Sequence, residues 1–185
     1  MSQIEDLCFR LAAPSDAEAV AALHADSWRR NYRGAYSDAF LDGDLDADRL
    51  AVWGSRFNDP DASTHTLIAE DAAGLVGFAH TVFDADPTWG ALLDNLHVSN
   101  DRKRRGVGSR LMALTARAVV ERRTGLYLWV LEQNVSAQAF YAANGGNIVE
   151  RSPASAPGGN PAWLNGSPIK LRCAWADPAA IAAPP

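Results

Sequence analysis

Cysteine is scarce in this 185-residue chain, which contains only Cys8 and Cys173. The two thiols are far apart, and neither belongs to a CxxC pair or has a histidine cluster beside it, which argues against a disulfide framework and against a zinc site. We expect two reduced, partly buried thiols. A chain of this length buries roughly 70% of its unfolded surface, so its core needs no such cross-links.

Long apolar runs are also missing. The sequence has no stretch of about 20 apolar residues, so we expect no membrane span. A signal peptide would begin with basic residues before an apolar core, whereas the first ten residues here carry Glu5 and Asp6. We therefore expect a cytoplasmic protein.

Positive charge is in deficit, because the net charge is −5. This argues against a nucleic-acid partner. The charge is unevenly placed, since residues 38–61 contain seven Asp against two Arg and residues 102–105 read Arg-Lys-Arg-Arg. A cationic substrate and a small anionic ligand would fit that distribution, although a solvated acidic surface explains the Asp-rich part equally well. We predict no metal: in the segment Asp42–Asp48, Ala47 and Trp53 stand where a calcium loop needs Gly and Glu.

Hydrophobic periodicity predicts one α/β domain with a mixed, mostly antiparallel central sheet flanked by helices. We expect the domain to span residues 1–176, followed by a flexible tail over residues 177–185. Ser15 and Glu18 form a capping-box pattern for the first helix. Strands are predicted over residues 7–12, 66–70, 75–83, 89–98, 126–131 and 169–175, and helices from about 15 to 30, 47 to 57, 106 to 119 and around 137–141.

The segment from Leu96 to Leu111 carries the strongest functional signal. An apolar strand ends, a basic turn follows, and Gly106 and Gly108 open a helix. The free N–H groups of a helix's first turn form an anion site, and glycine lets a phosphate approach the backbone closely. The GK[ST] ending of a P-loop is absent, so nucleoside triphosphate hydrolysis is not indicated.

Two motifs in the second half of the chain resemble those of the GNAT superfamily of acetyltransferases. Lys103-Arg104-Arg105-Gly106-Val107-Gly108 resembles the acetyl-CoA-binding motif [QR]-x-x-G-x-[GA], with Lys103 where the family usually has Arg or Gln. Asn134–Tyr141 and Gly145 resemble the N-x-x-A-x-x-F-Y…G-F ending, with Gly146 in place of Phe, so that corner of the core must be filled otherwise. The resemblance extends over residues 12–175.

The resemblance implies an N-acetyltransferase that uses acetyl-CoA. It implies that the backbone of the fourth strand pairs with pantetheine as an added strand would, and that the basic turn holds the pyrophosphate. Asn134 either caps its helix or contacts the cofactor. The implied cofactor-binding residues are Leu96, His97, Val98, Lys103, Arg104, Arg105, Gly106, Val107, Gly108, Ser109, Arg110, Asn134, Phe140 and Tyr141.

Acetyl transfer to an amine needs a proton acceptor for the amine and a proton donor for the thiolate. In the family the tyrosine that matches Tyr141 often serves as the donor; a core tyrosine is the alternative. For the base we predict Asp94, which on strand alternation shares a face with Leu96 and would lie in an apolar setting suited to a base near neutral pH. A structural Asp94 at a bulge is the alternative. His97 is the rival base, although a partly exposed strand histidine is the commoner case.

The acceptor is less well specified by the sequence. The segment Ser27–Gly34 resembles the helix pair that walls the acceptor site in many bacterial members, and we expect Tyr32 in the acceptor pocket and Trp53 in the packing between helices. We expect a small-molecule primary amine, because the chain shows no added peptide-docking module. A protein N-terminus, a non-catalytic acyl-CoA sensor and a surface for assembly with a partner protein are the alternatives. A homodimer is left open.

Overall fold

The computed structural model describes residues 7–182, and the acidic pair Glu5-Asp6 therefore lies outside the described residues, as does the end of the expected tail at 183–185. Within residues 7–182, no helix combines the length and the apolar character needed to cross a bilayer. The elements in chain order are β1 (Cys8–Leu11), α1 (Ala17–Asn31), α2 (Asp38–Leu41), α3 (Leu45–Asn58), β2 (Thr64–Asp71), β3 (Gly74–Asp86), β4 (Gly90–Val98), α4 (Val107–Glu121), β5 (Leu126–Leu131), α5 (Val135–Ala143), β6 (Asn147–Pro153), β7 (Ile169–Trp175) and α6 (Ala179–Ala182).

The described strands form one seven-stranded sheet in the order β1-β2-β3-β4-β5-β7-β6. Every neighbouring pair is antiparallel except β4 and β5, which are parallel. Helices cover both faces: Val20 of α1 and Trp53 of α3 pack against Phe78 on one face, and Leu111 of α4 packs against Leu128 in the core of the other. The predicted fold class, a mixed and mostly antiparallel sheet flanked by helices, is confirmed.

Strands β4 and β5 pair only at their beginnings. The ladder contains Ala91–Leu126 and Leu92–Tyr127 and then stops, while β4 continues to Val98. The register between β3 and β4 shifts directly after this point, because His80 pairs with Asn95 and Thr81 pairs with Leu93. The extra residue is Asp94, and such a bulge bends the strand and increases its local twist. The sheet therefore opens between the second halves of β4 and β5.

Two predictions about the ends of elements are wrong. The predicted N-cap at Ser15 is replaced by a short 3-10 turn, in which the Asp16 carboxylate accepts a 2.6 Å bond from the Ala13 N–H before α1 begins at Ala17. The predicted flexible tail is partly ordered, because residues 179–182 form α6 and Ile181 is buried in the core beside α4.

The corner where Gly146 replaces phenylalanine is filled from β7. A Cβ built on Gly146 would lie 2.5 Å from Cys173 Sγ and 2.6 Å from Trp175 Cζ2. Trp175 is buried, and its Nε1–H donates a 2.8 Å hydrogen bond to the Asn144 carbonyl, which holds the indole in that space. The side chain that the family places after the helix is thus supplied here by a neighbouring strand.

We predict that Gly146→Ala destabilises the protein by about 1–3 kcal/mol, because the added methyl group overpacks a filled corner. Gly54→Ala is the matched control: Gly54 lies in α3, and no atom lies within 4 Å of the position that its Cβ would take, so alanine should stabilise by about 0.5–1 kcal/mol through helix propensity. Urea unfolding of both variants checks this. Equal shifts in the two variants would contradict the packing argument.

Candidate functional site

The larger of two neighbouring cavities, about 450 Å³ in volume, lies where β4 and β5 separate. After Leu92 the edge of β4 that faces β5 makes no ladder bond to it. Most of the residues that the sequence predicts to bind the cofactor line this cavity; Arg105, Val107 and Arg110 do not. Those that line the cavity are Leu96, His97, Val98, Lys103, Arg104, Gly106, Gly108, Ser109, Asn134, Phe140 and Tyr141.

The N-terminus of α4 forms one end of this cavity. Gly106 is the N-cap and has a φ of 83°, a left-handed conformation that favours glycine. The Arg110 N–H donates a 2.9 Å bond to the Gly106 carbonyl, so the N–H groups of residues 107–109 are the ones left without a helical partner. A Cβ on Gly108 would lie 3.3 Å from Phe140 Cζ, so a larger side chain would enter the cavity or push α5 away.

The basic turn before α4 divides into paired and unpaired cations. Arg102 forms ion pairs with Asp71 at 2.6 Å and with Asp101 at 3.4 Å. Lys103 and Arg104 are exposed and form no ion pair with any residue between 7 and 182. Two cations therefore lie beside the free helix N–H groups, which is the arrangement that binds phosphate groups.

His97 is buried, so the expectation of a partly exposed strand histidine is wrong. Its Nδ1 lies 2.7 Å from Ser27 Oγ of α1, and its ring centroid lies 4.8 Å from that of His24. Burial, and to a smaller extent the charge of Lys103, lowers the pKa of His97 to about 3. His97 is therefore neutral at physiological pH and is a weak base.

Helix α5 brings two predicted residues to the cavity wall. The Asn134 carboxamide oxygen accepts a 3.2 Å bond from the Ala137 N–H, so the capping role is confirmed, and Asn134 also lines the cavity. Tyr141 is half-buried, with its ring 5.4 Å from that of Phe140. Burial and the nearby Cys173 raise the pKa of Tyr141, so its hydroxyl keeps its proton and can donate a hydrogen bond into the cavity.

The smaller cavity, about 320 Å³ in volume, adjoins the larger one. The two share Tyr32 and residues 129–131 of β5 as lining. Tyr32 lines both cavities, and Trp28 and Tyr36 line the smaller one. Trp53 is fully buried between the helices and the sheet, as predicted.

Asp94 occupies the bulge of β4 and lines the smaller cavity. The expected apolar setting is wrong, because the residue is exposed and its carboxylate accepts a 3.0 Å bond from Arg56 Nη2 and a 2.7 Å bond from Asn95 Nδ2. The extra residue of the bulge turns this side chain outwards. The alternative prediction, a structural Asp94 at a bulge, describes its position correctly. Its hydrogen-bond partners are the side chains of Arg56 and Asn95.

The Asp-rich segment is largely neutralised by arginines. Asp38 and Asp42 both pair with Arg33, and Asp46 pairs with Arg29. These are surface pairs, and exposed pairs of this kind add little stability. They do reduce the negative field around the cavities, so the sequence argument for a cationic substrate loses its basis.

Sequence reasoning missed several polar residues of the smaller cavity, among them Arg56, Ser155 and Lys170. Lys170 reaches it because β7 pairs with β5 and sets Lys170 opposite Leu131. A single lysine in a strand does not indicate a site, and hydrophobic periodicity does not predict the order of strands in a sheet. The spacing of Arg56 on α3 could have been noticed, since it follows Trp53 on the helix face that packs on the sheet.

Comparison with known proteins identifies the family of this chain. The model of the acetyltransferase (GNAT) family matches residues 18–145. The uncharacterized N-acetyltransferase YuaI of Bacillus subtilis (strain 168) is 28% identical over 138 residues, which cover 72% of this chain and 76% of YuaI. The chain therefore belongs to the GNAT family of acetyltransferases.

Solved structures share the fold. The PaiA N-acetyltransferase of Thermoplasma acidophilum, solved in complex with coenzyme A, superposes with a TM-score of 0.71 at 17% identity, covering 91% of this chain and 99% of that one. Arabidopsis thaliana NAA60 in complex with a bisubstrate analogue gives 0.64 at 18% identity, covering 91% and 97%. At these identities the likeness concerns the fold.

The buried histidines predict a pH dependence of stability. Burial lowers the pKa of His80 to about 4 and that of His97 to about 3, against about 6.5 in the unfolded chain. Below pH 6.5 the unfolded chain binds more protons, so the free energy of unfolding falls as the pH falls. At pH 5 the loss is about 2 kcal/mol for each histidine relative to pH 8.

Urea unfolding at pH 8 and pH 5 measures this loss. His80→Gln and His97→Gln should each show a smaller difference between the two pH values than the wild type, whatever their stability at pH 8. The same difference in all three proteins would contradict the assignment of the proton uptake to these imidazoles.

Proposed function

We propose that this protein transfers the acetyl group of acetyl-CoA to the primary amine of a small molecule. The observation that carries the proposal is the junction of the two cavities at Tyr32 and residues 129–131. One cavity ends in free helix N–H groups beside two cations, and the other is lined by polar side chains and aromatic rings. A thioester and an amine bound on the two sides would meet at that junction.

The residues of the larger cavity fit coenzyme A. The N–H groups of residues 107–109 and the side chains of Lys103 and Arg104 would hold the pyrophosphate. The open edge of β4 at Leu96–Val98 would bond the pantetheine amides, as an added strand would. Asn134, Phe140 and Tyr141 would form the opposite wall. Acetyl-CoA supplies the acetyl group as a thioester and leaves as the thiol.

The proton transfers that the reaction requires suggest roles for individual side chains. The amine loses a proton, its nitrogen forms a bond to the acetyl carbon, and the carbon–sulfur bond breaks. The Tyr141 hydroxyl, protonated because burial raises its pKa, would donate a hydrogen bond to the sulfur as negative charge develops there. A backbone N–H of β4 would stabilise the carbonyl oxygen.

For the base we propose Asp94, acting on the amine directly or through one water molecule. It lines the smaller cavity and is the one carboxylate that does so within the described residues. His97, the rival, remains on the wall of the larger cavity, but a pKa of about 3 leaves it poorly suited to take a proton near pH 7. We propose that His97 positions the β4 backbone through Ser27 instead.

A small-molecule acceptor is favoured by the loop before β7. Its Trp163 stacks on Phe40 with ring centroids 4.4 Å apart, and the Ser37 N–H donates a 2.9 Å bond to the Trp163 carbonyl. The same loop contributes Ala154 and Ser155 to the smaller cavity. The tie holds this loop against the segment around α2, and a wall on that side of the smaller cavity favours a small acceptor over an extended peptide.

We predict that Gly108→Asp lowers the affinity for coenzyme A by about 100-fold or more, because like charges about 4 Å apart repel strongly even at an effective dielectric constant of about 20. Gly108→Ala is the matched control, since it adds the Cβ near Phe140 without the charge. Calorimetry with coenzyme A measures both. Unchanged affinity in Gly108→Asp would refute the pyrophosphate site.

We predict that Tyr141→Phe lowers kcat by about 10²–10⁴-fold, the usual cost of losing a general acid, while its Kd for coenzyme A changes little. Tyr127→Phe is the control, because Tyr127 is buried in β5 and lines neither cavity. Coenzyme A release is followed with a thiol reagent. If Tyr141→Phe retains the wild-type kcat, Tyr141 is a packing residue. If the wild type acetylates no amine, the alternative of a non-catalytic acyl-CoA sensor is favoured.

A further inference from the structure

The smaller cavity carries more positive than negative side chains. Its charged lining consists of Arg49, Arg56 and Lys170 against Asp94. Arg49 is compensated from outside the cavity by Asp48, 2.5 Å away, and Arg56 by Asp94 at 3.0 Å. Counting Asp48 with the lining, one cation is left over. The cavity therefore has a positive excess.

Lys170 supplies that excess. Its Nζ lies 3.3 Å from Ser155 Oγ and 4.5 Å from the centroid of the Trp129 ring, and it forms no ion pair with any described residue. Burial, together with the nearby Arg172, lowers the pKa of Lys170. The Glu150 carboxylate, which pairs with Arg172, partly offsets this shift. A partly desolvated ammonium group without an ion-pair partner gains free energy when an anion binds beside it.

Arg56 also lines this cavity, and one of its guanidinium donors has no partner among the described residues. Its Nη2 donates to Asp94, and its guanidinium lies 4.8 Å from the centroid of the Trp53 ring. Its Nη1 is buried and has no hydrogen-bond partner among residues 7–182. A buried donor without an acceptor is costly, and a guanidinium that offers N–H groups from its fork suits the planar oxygens of an acid group.

His24 also lines this cavity and has a buried donor without a partner in the part of the chain that the structure describes. The Trp53 Nε1–H donates a 2.9 Å bond to His24 Nδ1, so that nitrogen carries a lone pair. Burial lowers the pKa of His24 well below its usual value, so the ring is neutral and its proton lies on Nε2. His24 Nε2 is buried and has no partner within the described part of the chain.

We propose that the acceptor carries an acid group in addition to its amine, and that the Arg56 guanidinium and Lys170 Nζ hold that acid group in the smaller cavity. This rests on the proposed acetyltransferase function and names its acceptor class. A volume of about 320 Å³ lies in the range of small-molecule sites. A diamine would place a second ammonium group beside these cations and would be disfavoured.

The first experiment compares amines that differ only in the acid group. Glycine, β-alanine and L-methionine are each tested beside their primary amides, with 2-aminoethylphosphonate as the phosphorus acid and 1,4-diaminobutane as the cationic amine. Coenzyme A release gives kcat/KM, and calorimetry of the same compounds with coenzyme A-saturated protein gives Kd. We expect at least one acid to exceed its amide about tenfold or more in both measurements.

The second experiment removes the proposed anchor. Lys170→Met keeps the length of the side chain and removes its charge, and it should raise KM and Kd for the preferred acid about ten- to hundredfold without changing those for the matching amide. Arg30→Gln is the control, since Arg30 is an exposed residue of α1 paired with Asp26 and lines neither cavity. It should leave both compounds unaffected.

The outcomes separate this inference from the proposed function. Equal use of acids and amides, a preference for the diamine, or a Lys170→Met effect of the same size on acid and amide would each overturn the inference and leave acetyl transfer standing. If no amine is acetylated, the proposed function fails and the binding measurements test the inference. Acids that bind more tightly than their amides, and do so only when Lys170 is present, would support the inference. The absence of binding by any acid would overturn the inference.

Discussion

The parting of β4 from β5 is the feature on which the rest of the site depends. β5 is bonded along its whole length to β7, so it cannot follow β4 when the Asp94 bulge bends that strand away after Leu92. One side of β4 is then left with backbone groups that no strand satisfies, and buried backbone groups need partners. A ligand with amide groups can serve as that partner. The cavity at this opening is lined by residues of β4 and β5 and by residues of α4 and α5.

Charge in this protein is arranged locally, and the net value of −5 describes neither cavity. Aspartates around α2 and the start of α3 are matched to arginines on the same surface, so they contribute little field at a distance from the protein. Three cations that form no ion pair with any described residue, Lys103, Arg104 and Lys170, line the two cavities. Both cavities are thus positive inside a negative molecule. The overall charge affects solubility, whereas the choice of ligand depends on which charged side chains lack a partner.

Much of the fold is accessible from the sequence because it depends on local rules. The glycines and basic residues before α4, the strand-like runs 66–70 and 75–83, and the run 126–131 each predict their own element, and the structure contains all of them. The wrong expectations concern neighbours in space. Strict alternation misplaces Asp94 because a bulge interrupts the strand, and nothing in the sequence indicates that α1 covers His97. Lys170 reaches the smaller cavity only through the β5–β7 pairing.

The exchange of volume between Gly146 and β7 constrains how this sequence can change. The indole of Trp175 and the sulfur of Cys173 occupy the space that a side chain at position 146 would need. A return to the family's phenylalanine is therefore blocked while Trp175 is present, and shrinking Trp175 first would leave a void beside Tyr141, whose ring lies 6.2 Å from the indole. Neither single step is neutral, although the combined exchange conserves volume. The two positions are linked by sign epistasis, and lineages with this corner packing are expected to retain it even as the surrounding surface diverges.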